Sequence, residues 1–164
     1  METLQNSINS EQLFNFNPNC VSEVQLFYKT EVKPIDRPVV SCSQHAYLIF
    51  KHYWDPNAIE LREEFKLLLL NRGQRALGII NISTGGVTGT IADPKLIFSS
   101  ALIANASGII VAHNHPSGNL KASQTDLQLT EKLRNAGKFL DISVLDHLIL
   151  SVEGYLSMAD DGLL

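Results

Sequence analysis

Apolar and polar positions change period several times along the chain, and each change marks an element. Glu23–Lys29, "EVQLFYK", alternates in the manner of a half-buried strand. Ser43–Trp54, "SQHAYLIFKHYW", turns to helical spacing, opens on Ser43 as a candidate N-cap and stops at Asp55-Pro56-Asn57. "EFKLLLLN" and "RALGIINIST" are joined by "NRGQ", which predicts an antiparallel hairpin with Gly73 at its turn. "DPKLIFSSALIAN" reads as a helix with Asp93 as N-cap and Pro94 at the first helical position. "SGIIVA" is short, apolar and rich in β-branched residues, as a strand covered on both faces should be. "SQTDLQLTEKLRNAGKFL" is the clearest helix: Leu129, Leu133, Ala136 and Leu140 form one stripe, and Gly137 is placed to end it. "DISVLDHLILS" predicts another buried strand and "GYLSMA" a last edge strand. Interleaved strands and helices predict an α/β or α+β fold, a mixed central β-sheet flanked by helices.

The first forty residues have a different texture. Residues 1–20 are rich in Asn, Gln and Ser without a strong period, so a loose arm with a short helix around Glu11–Phe16 is expected. "KPIDRP" reads as a connector, because proline suits neither a helix interior nor a central strand. The division expected is an N-terminal arm and strand at 1–40, followed by one principal domain at 41–164.

Composition narrows the function classes. Apolar residues make up 45% of the 164 and charged residues 18%, enough for a core and too little charge for disorder. The net charge of −4 does not suggest a face built to neutralise phosphates, so direct nucleic-acid binding is not expected. No apolar run is long enough to span a bilayer, and "METLQNSINSEQLFNF" lacks the order of a secretory signal. Cys20 and Cys42 lie far apart with no CxxC partner, which reads as free thiols in a reducing cytoplasm.

One stretch interrupts the apolar second half. "HNHPSGNLKASQTD", His113–Asp126, follows "SGIIVA" directly. Residues i and i+2 of an extended chain point to the same side, so His113 and His115 project together while Asn114 faces away. Imidazole is a common zinc ligand, and Pro116-Ser117-Gly118 can turn the chain back to bring Asp126 to the same point. Two His and one carboxylate leave a fourth position for water, as in catalytic zinc sites. The same residues also fit a plainer reading. Ser123-x-x-Asp126 is a capping-box signature, and both histidines could be hydrogen-bonded loop residues. The two readings are compatible, because a serine hydroxyl that accepts at an N-cap can still donate elsewhere.

His113-x-His115, seven residues, Ser123, two residues and Asp126 together resemble the JAMM motif of the JAB/MPN-type metallopeptidases. "AHNHPSGNLKASQTD", with "LDHLIL" downstream, looks like the RadC-like branch, and the resemblance runs from roughly Glu63 to the C-terminus. It implies an MPN/JAB-like metallohydrolase domain for residues 41–164. It also implies zinc as cofactor, with His113, His115 and Asp126 as ligands and Ser123 stabilising an oxyanion. The family uses an upstream glutamate near the water, and Glu60, Glu63 and Glu64 are the candidates. Neighbours on a strand face opposite ways, so Glu63 and Glu64 cannot both face the metal. The RadC-like pattern sets the glutamate two residues before a Phe and an apolar run, which selects Glu63 over a solvated Glu64 and a surface Glu60.

The remaining residues receive structural readings. Asp146-His147 matches the RadC-like pattern and is assigned to packing or support of the site. Gly85, Gly86 and Gly89 lack the Lys-Ser/Thr of a phosphate loop and are read as shaping a turn near the site. His45 and His52 are ordinary surface or core histidines of the early helix, and Trp54 and the Tyr and Phe residues are assigned to the core.

The resulting expectation is a cytoplasmic zinc-dependent hydrolase, a metallopeptidase or isopeptidase acting on a peptide or protein. Better-known relatives of the resembling fold cleave isopeptide bonds to ubiquitin-like tails. A zinc nucleobase deaminase is excluded, because neither H-x-E nor P-C-x-x-C occurs. The alternative is a non-catalytic accessory module in DNA processing, the role attached to the RadC name. Longer family members look to carry an N-terminal helix-hairpin-helix region, yet no glycine precedes Gly73 here to turn such a hairpin.

Overall fold

The computed structural model describes residues 22–86 and 92–164. The expected helix around Glu11–Phe16, Cys20 and Gly89 lie outside the described residues. In chain order the elements are α1 (Ser43–Tyr53), β1 (Glu64–Leu70), β2 (Ala76–Thr84), α2 (Pro94–Ile103), β3 (Gly108–Asn114), α3 (Gln124–Phe139), β4 (Ser143–Leu150) and β5 (Tyr155–Ser157). The strands form one sheet in the order β2-β1-β3-β4-β5. Only the β3–β4 pair is parallel, because helix α3 carries the chain back between them. The fold is the expected mixed sheet flanked by helices.

Both faces of the sheet are covered, so its inner strands are apolar along almost their whole length. Helix α1 lays Ala46, Tyr47 and Phe50 over Leu68, Leu70, Ile110, Ala112, Leu148 and Leu150. Trp54, just beyond α1, is buried in the same layer. Helices α2 and α3 cover the other face, where Ile97, Phe98 and Leu133 meet Phe65, Leu67, Leu69, Ile109, Val111 and Val144. Alternation along β1 and β3 thus divides each strand between two cores.

Local chemistry explains most boundaries. Asp93 accepts from Lys95 N at the start of α2, and Pro94 opens that helix, as expected. Ser123 and Asp126 form a complete capping box at the start of α3. In the β1–β2 turn the Asn71 side chain accepts from Gly73 N and Arg75 N, and the positive φ falls on Gln74 rather than on Gly73.

Three expectations are corrected. Glu23–Lys29 forms no strand: Val24, Leu26 and Phe27 are exposed, and the segment has no ladder partner to convert its alternation into burial. Cys42, not Ser43, occupies the N-cap of α1 and makes no side-chain cap. Ser43 lies in the first turn, where its hydroxyl bonds Tyr155 Oη and the Asp160 carboxylate. Gly137 does not end α3, which continues to Phe139. It is needed for a different reason. A Cβ at Gly137 would lie 2.3 Å from the main-chain oxygen of Ile142, so the helix approaches the entry to β4 closer than any side chain permits.

That contact generates a stability prediction. In an open helix Gly→Ala stabilises by up to about 1 kcal/mol. Gly137→Ala is expected to do the reverse and lower unfolding free energy by about 1–3 kcal/mol, the usual cost of overpacking. Urea unfolding of the two proteins measures it, and an unchanged or raised midpoint would show that α3 can move away from Ile142 at little cost.

Candidate metal centre

The site forms at the C-terminal end of β3, where the parallel β3-α3-β4 unit leaves a strand end facing a helix start. His113 is the penultimate residue of β3, buried between β1 and β4, and is paired with Phe65 on one side and Ile149 on the other. His115 follows the strand, its position fixed by a main-chain bond to the Leu150 carbonyl. Gly118, at φ 78°, then turns the chain. The turn brings the Asn119 carbonyl to 2.6 Å from His115 Nδ1.

Helix α3 supplies the third group. The Ser123 N–H donates to Asp126 Oδ2 at 2.7 Å, and the Asp126 N–H donates to Ser123 Oγ at 3.2 Å. The capping box therefore aims the Asp126 carboxylate instead of competing with a ligand role. His113 Nε2 and His115 Nε2 stand 3.0 Å apart. Asp126 Oδ1 is 3.3 Å from the first and Oδ2 is 3.8 Å from the second. Among the described residues, His113, His115 and Asp126 are the group of His, Cys, Asp and Glu side chains whose ligand atoms converge closely enough to hold a metal ion.

The donor chemistry fits a divalent cation. A carbonyl can only accept, so His115 Nδ1 carries the proton directed at Asn119, and Nε2 presents its lone pair to the cluster. Burial pushes His113 down to about 4, with Asp126 pulling upward and His115 pushing further down, so this ring is neutral near pH 7. Neutral imidazoles and a carboxylate are the ligands zinc takes, and three protein ligands leave a position open.

One feature was not read from the sequence, and one residue expected to support the site does so by a definite contact. Asn114 does face away from the cluster, but it is far from idle. Its Nδ2 donates to the carbonyls of Ile59 and Arg62, and its Oδ1 accepts from Glu64 N at 2.7 Å. It thereby clamps the segment that leads into β1. The amide between two histidines was the available signal. His147 lies beneath the cluster, fully buried, with Nε2 2.8 Å from His113 Nδ1. Burial holds its pKa well below the ordinary histidine value, and His113 and His115 lower it further. Its neighbour Asp146 faces the opposite way and binds the hydroxyl of Ser157 and the N–H groups of Ala159 and His147. Burial raises the Asp146 pKa, and those three hydrogen bonds oppose the rise.

The glutamates separate by strand parity. Phe65 pairs with His113 and stacks on it, with ring centroids 6.1 Å apart. Position 63 precedes Phe65 by two residues and exchanges main-chain hydrogen bonds with Gly85 and Gly86, so the extended backbone carries it to the face of Phe65 and His113. Glu64 belongs to the other face and is not the solvated charge expected. It is 5% exposed and pairs with Lys66 Nζ at 2.9 Å and Arg62 Nη2 at 3.1 Å. Lys66 Nζ in turn sits 4.8 Å from the centre of the Trp54 ring. Glu60 is exposed, as expected, and of the two readings of His45 and His52, surface or core, the surface one holds. Trp54 is buried, but Phe27, Tyr53 and Phe139, expected in the core, are exposed because no described element packs over them.

The model of the RadC-like JAB domain matches residues 40–163. The chain is 45% identical over 101 residues to a UPF0758 protein of Flavobacterium johnsoniae, covering 62% of this chain and 44% of that one. It is 38% identical over 116 residues to a UPF0758 protein of Syntrophotalea carbinolica, covering 71% of this chain and 51% of that one. A UPF0758 protein of Desulfitobacterium hafniense is 35% identical over 134 residues, covering 80% of this chain and 56% of that one. The chain spans about half the length of the curated relatives it matches. On the strength of the family match and of the strand-end cluster it spans, the chain belongs to the RadC-like JAB domain family.

Proposed function

We propose that this chain is a zinc-dependent hydrolase of the JAMM type, a metallopeptidase or isopeptidase that cleaves an amide bond in a peptide or protein in the cytoplasm. The observation that carries the reading is the convergence of His113 Nε2, His115 Nε2 and an Asp126 carboxylate whose orientation the Ser123 capping box fixes. His113, His115 and Asp126 would hold the ion. Zinc supplies Lewis acidity and a water acidic enough to attack at neutral pH.

The chain's own residues provide the rest. Glu63, on the His113 face of the β1 approach, takes the proton from the attacking water and passes it to the leaving amine. Asn114 fixes the backbone on both sides of Glu63 through Arg62 O and Glu64 N, which limits how far that carboxylate can wander. The Ser123 oxygen accepts from Asp126 N, and its own proton is available to the oxyanion that forms at the substrate carbonyl. No described helix is long and apolar enough to cross a membrane, and Cys42 is a free, exposed thiol.

Metal content is the first test. Zinc-replete protein is expected to hold about one ion per chain, and His113→Ala or His115→Ala to hold almost none. Elemental analysis after desalting decides it, and equal metal in the variants removes the site.

The glutamate assignment predicts two different failures. Against peptide and ubiquitin-like-tail amides, Glu63→Gln is expected to slow turnover by roughly a hundredfold or more while zinc stays bound. Glu64→Gln leaves Lys66 buried without its carboxylate, so it is expected to cost roughly 3 kcal/mol of stability rather than the chemistry. Turnover, zinc content and urea midpoints measured side by side separate the two. An inactive, stable Glu64→Gln with an active Glu63→Gln reverses the roles.

For nucleic acid the expectation is weak binding without sequence preference, since the chain carries a net charge of −4. Titration of duplex and branched DNA at moderate salt checks it, and tight saturable binding would favour the accessory role in DNA processing.

A further inference from the structure

A buried series of hydrogen bonds runs from helix α3 to His113. Thr130 Oγ lies 2.6 Å from the Asp126 carbonyl oxygen and 2.6 Å from His147 Nδ1. His147 Nε2 lies 2.8 Å from His113 Nδ1. Thr130 is 2% and His147 0% exposed, so these groups set the direction of the series among themselves.

That direction follows from counting protons. A carbonyl oxygen can only accept, and a hydroxyl carries a single proton. Two oxygens 2.6 Å apart repel unless a proton lies between them, so the Thr130 proton is directed at Asp126 O. The Thr130 oxygen is then the acceptor on its other side, and His147 donates to it from Nδ1–H. Neutral imidazole has one N–H, which leaves His147 Nε2 an acceptor. His113 must therefore carry its proton on Nδ1. Its lone pair is left on Nε2, the atom that faces His115 Nε2 and the Asp126 carboxylate. Asp126 stands at both ends: its carbonyl starts the series and its carboxylate joins the cluster that the series serves.

We propose that His147, anchored by Thr130, is a positioning residue that locks His113 in the Nδ1–H tautomer and so presents His113 Nε2 to the metal ion. The proposal rests on the reading that His113, His115 and Asp126 hold zinc. The other tautomer would aim a proton into the cluster, where it would compete with a cation. A partner on the far nitrogen of a ligating histidine fixes tautomer and ring orientation, and its loss commonly weakens metal binding by roughly 10–100-fold. Here that partner is a second imidazole, whose own proton is assigned by a helix threonine.

The fold places His147 for this task through one irregularity. Ile109 pairs with Val144 but Ile110 pairs with Asp146, so Leu145 is an extra residue in β4. Val144 and Val111 belong to the core under α2 and α3. Without the extra residue, His147, three positions after Val144, would face helix α1. With it, His147 pairs with Val111 and comes under His113.

The test uses the whole chain, zinc itself and two readouts. The first is zinc affinity by competition with a chromophoric chelator. His147→Phe keeps a ring but removes the acceptor, and is expected to weaken zinc binding roughly 10–100-fold. His147→Gln returns an acceptor oxygen near the Nε2 position, and is expected to recover most of that loss. The second readout is the nitrogen NMR spectrum of the metal-free wild-type protein, where His147 and His113 are both expected as Nδ1–H tautomers. Unchanged affinity in His147→Phe overturns the proposal, as does a Gln variant no better than Phe, or an Nε2–H signal for His147. If His147→Phe does not fold, the Gln variant and the wild-type spectrum still decide. Wild-type protein that takes up no zinc, with both tautomers as expected, instead overturns the zinc reading beneath it.

Discussion

Two imidazole lone pairs and a carboxylate directed at one point repel one another, and the surrounding structure has to hold them together. The side chains of His113, His115 and Asp126 are 5%, 15% and 15% exposed, so water does little to screen them. Leaving such groups buried without a proton or a cation among them is expensive. Each is therefore fixed by something other than its neighbours in the cluster. His113 sits in a strand flanked on both sides. His115 is held by the Asn119 carbonyl, and Asp126 by the N–H of Ser123. A site arranged before its ion arrives spends little of the binding free energy on ordering its own ligands.

Strand β3 is central to that arrangement because its two faces serve different ends. His113 looks toward α3 and the Asp126 carboxylate. Asn114, one residue on, looks toward α1 and gathers Ile59, Arg62 and Glu64 by their main-chain groups. The same alternation divides Glu63, just before the adjoining strand β1, from Glu64, its first residue. The buried Glu64–Lys66 pair and the Trp54 ring above it belong to the scaffold side, and the carboxylate proposed for proton transfer belongs to the other. A one-residue slip of β1 against β3 would exchange the two glutamates, so the hydrophobic register that buries Leu67 and Leu69 against α2 and α3 also selects which glutamate lies on the His113 side.

Much of this was legible in the sequence because it is local. The His-x-His parity, the Ser123–Asp126 capping box, the Asp93-Pro94 helix start and the Asn71–Arg75 turn each depend on residues within a few positions of one another. What escaped depends on distant partners. The alternation of Glu23–Lys29 matched a strand, but no neighbouring strand pairs with it. Glu64 read as solvated although its partners Arg62 and Lys66 lie two residues away, because what buries that group is distant: the Trp54 ring beyond α1 sits against Lys66, and Asn114 of β3 holds the Glu64 N–H. The Asp146-His147 pair was read as support, yet what it supports was invisible, because the extra residue at Leu145 turns His147 toward His113 and no local pattern announces a bulge. Gly137 carried a misleading signal. Glycine near a helix end usually marks a cap, and here it marks a contact with Ile142.

Helix α3 links these local and distant terms. Its first turn supplies the Asp126 carboxylate, and its second supplies Thr130, four residues on and so on the same side of the helix. Any displacement of α3 moves the Asp126 carboxylate and the Thr130 hydroxyl together. Gly137, about three turns from Asp126, sets how close the far end of the helix comes to the entry of β4. A side chain there would lift or tilt α3 away from the sheet. Because the helix is stiff over that length, part of the displacement would reach Asp126 and Thr130. A glycine with no contact to the cluster is in this way part of what sets the spacing between a carboxylate on a helix and two histidines at a strand end.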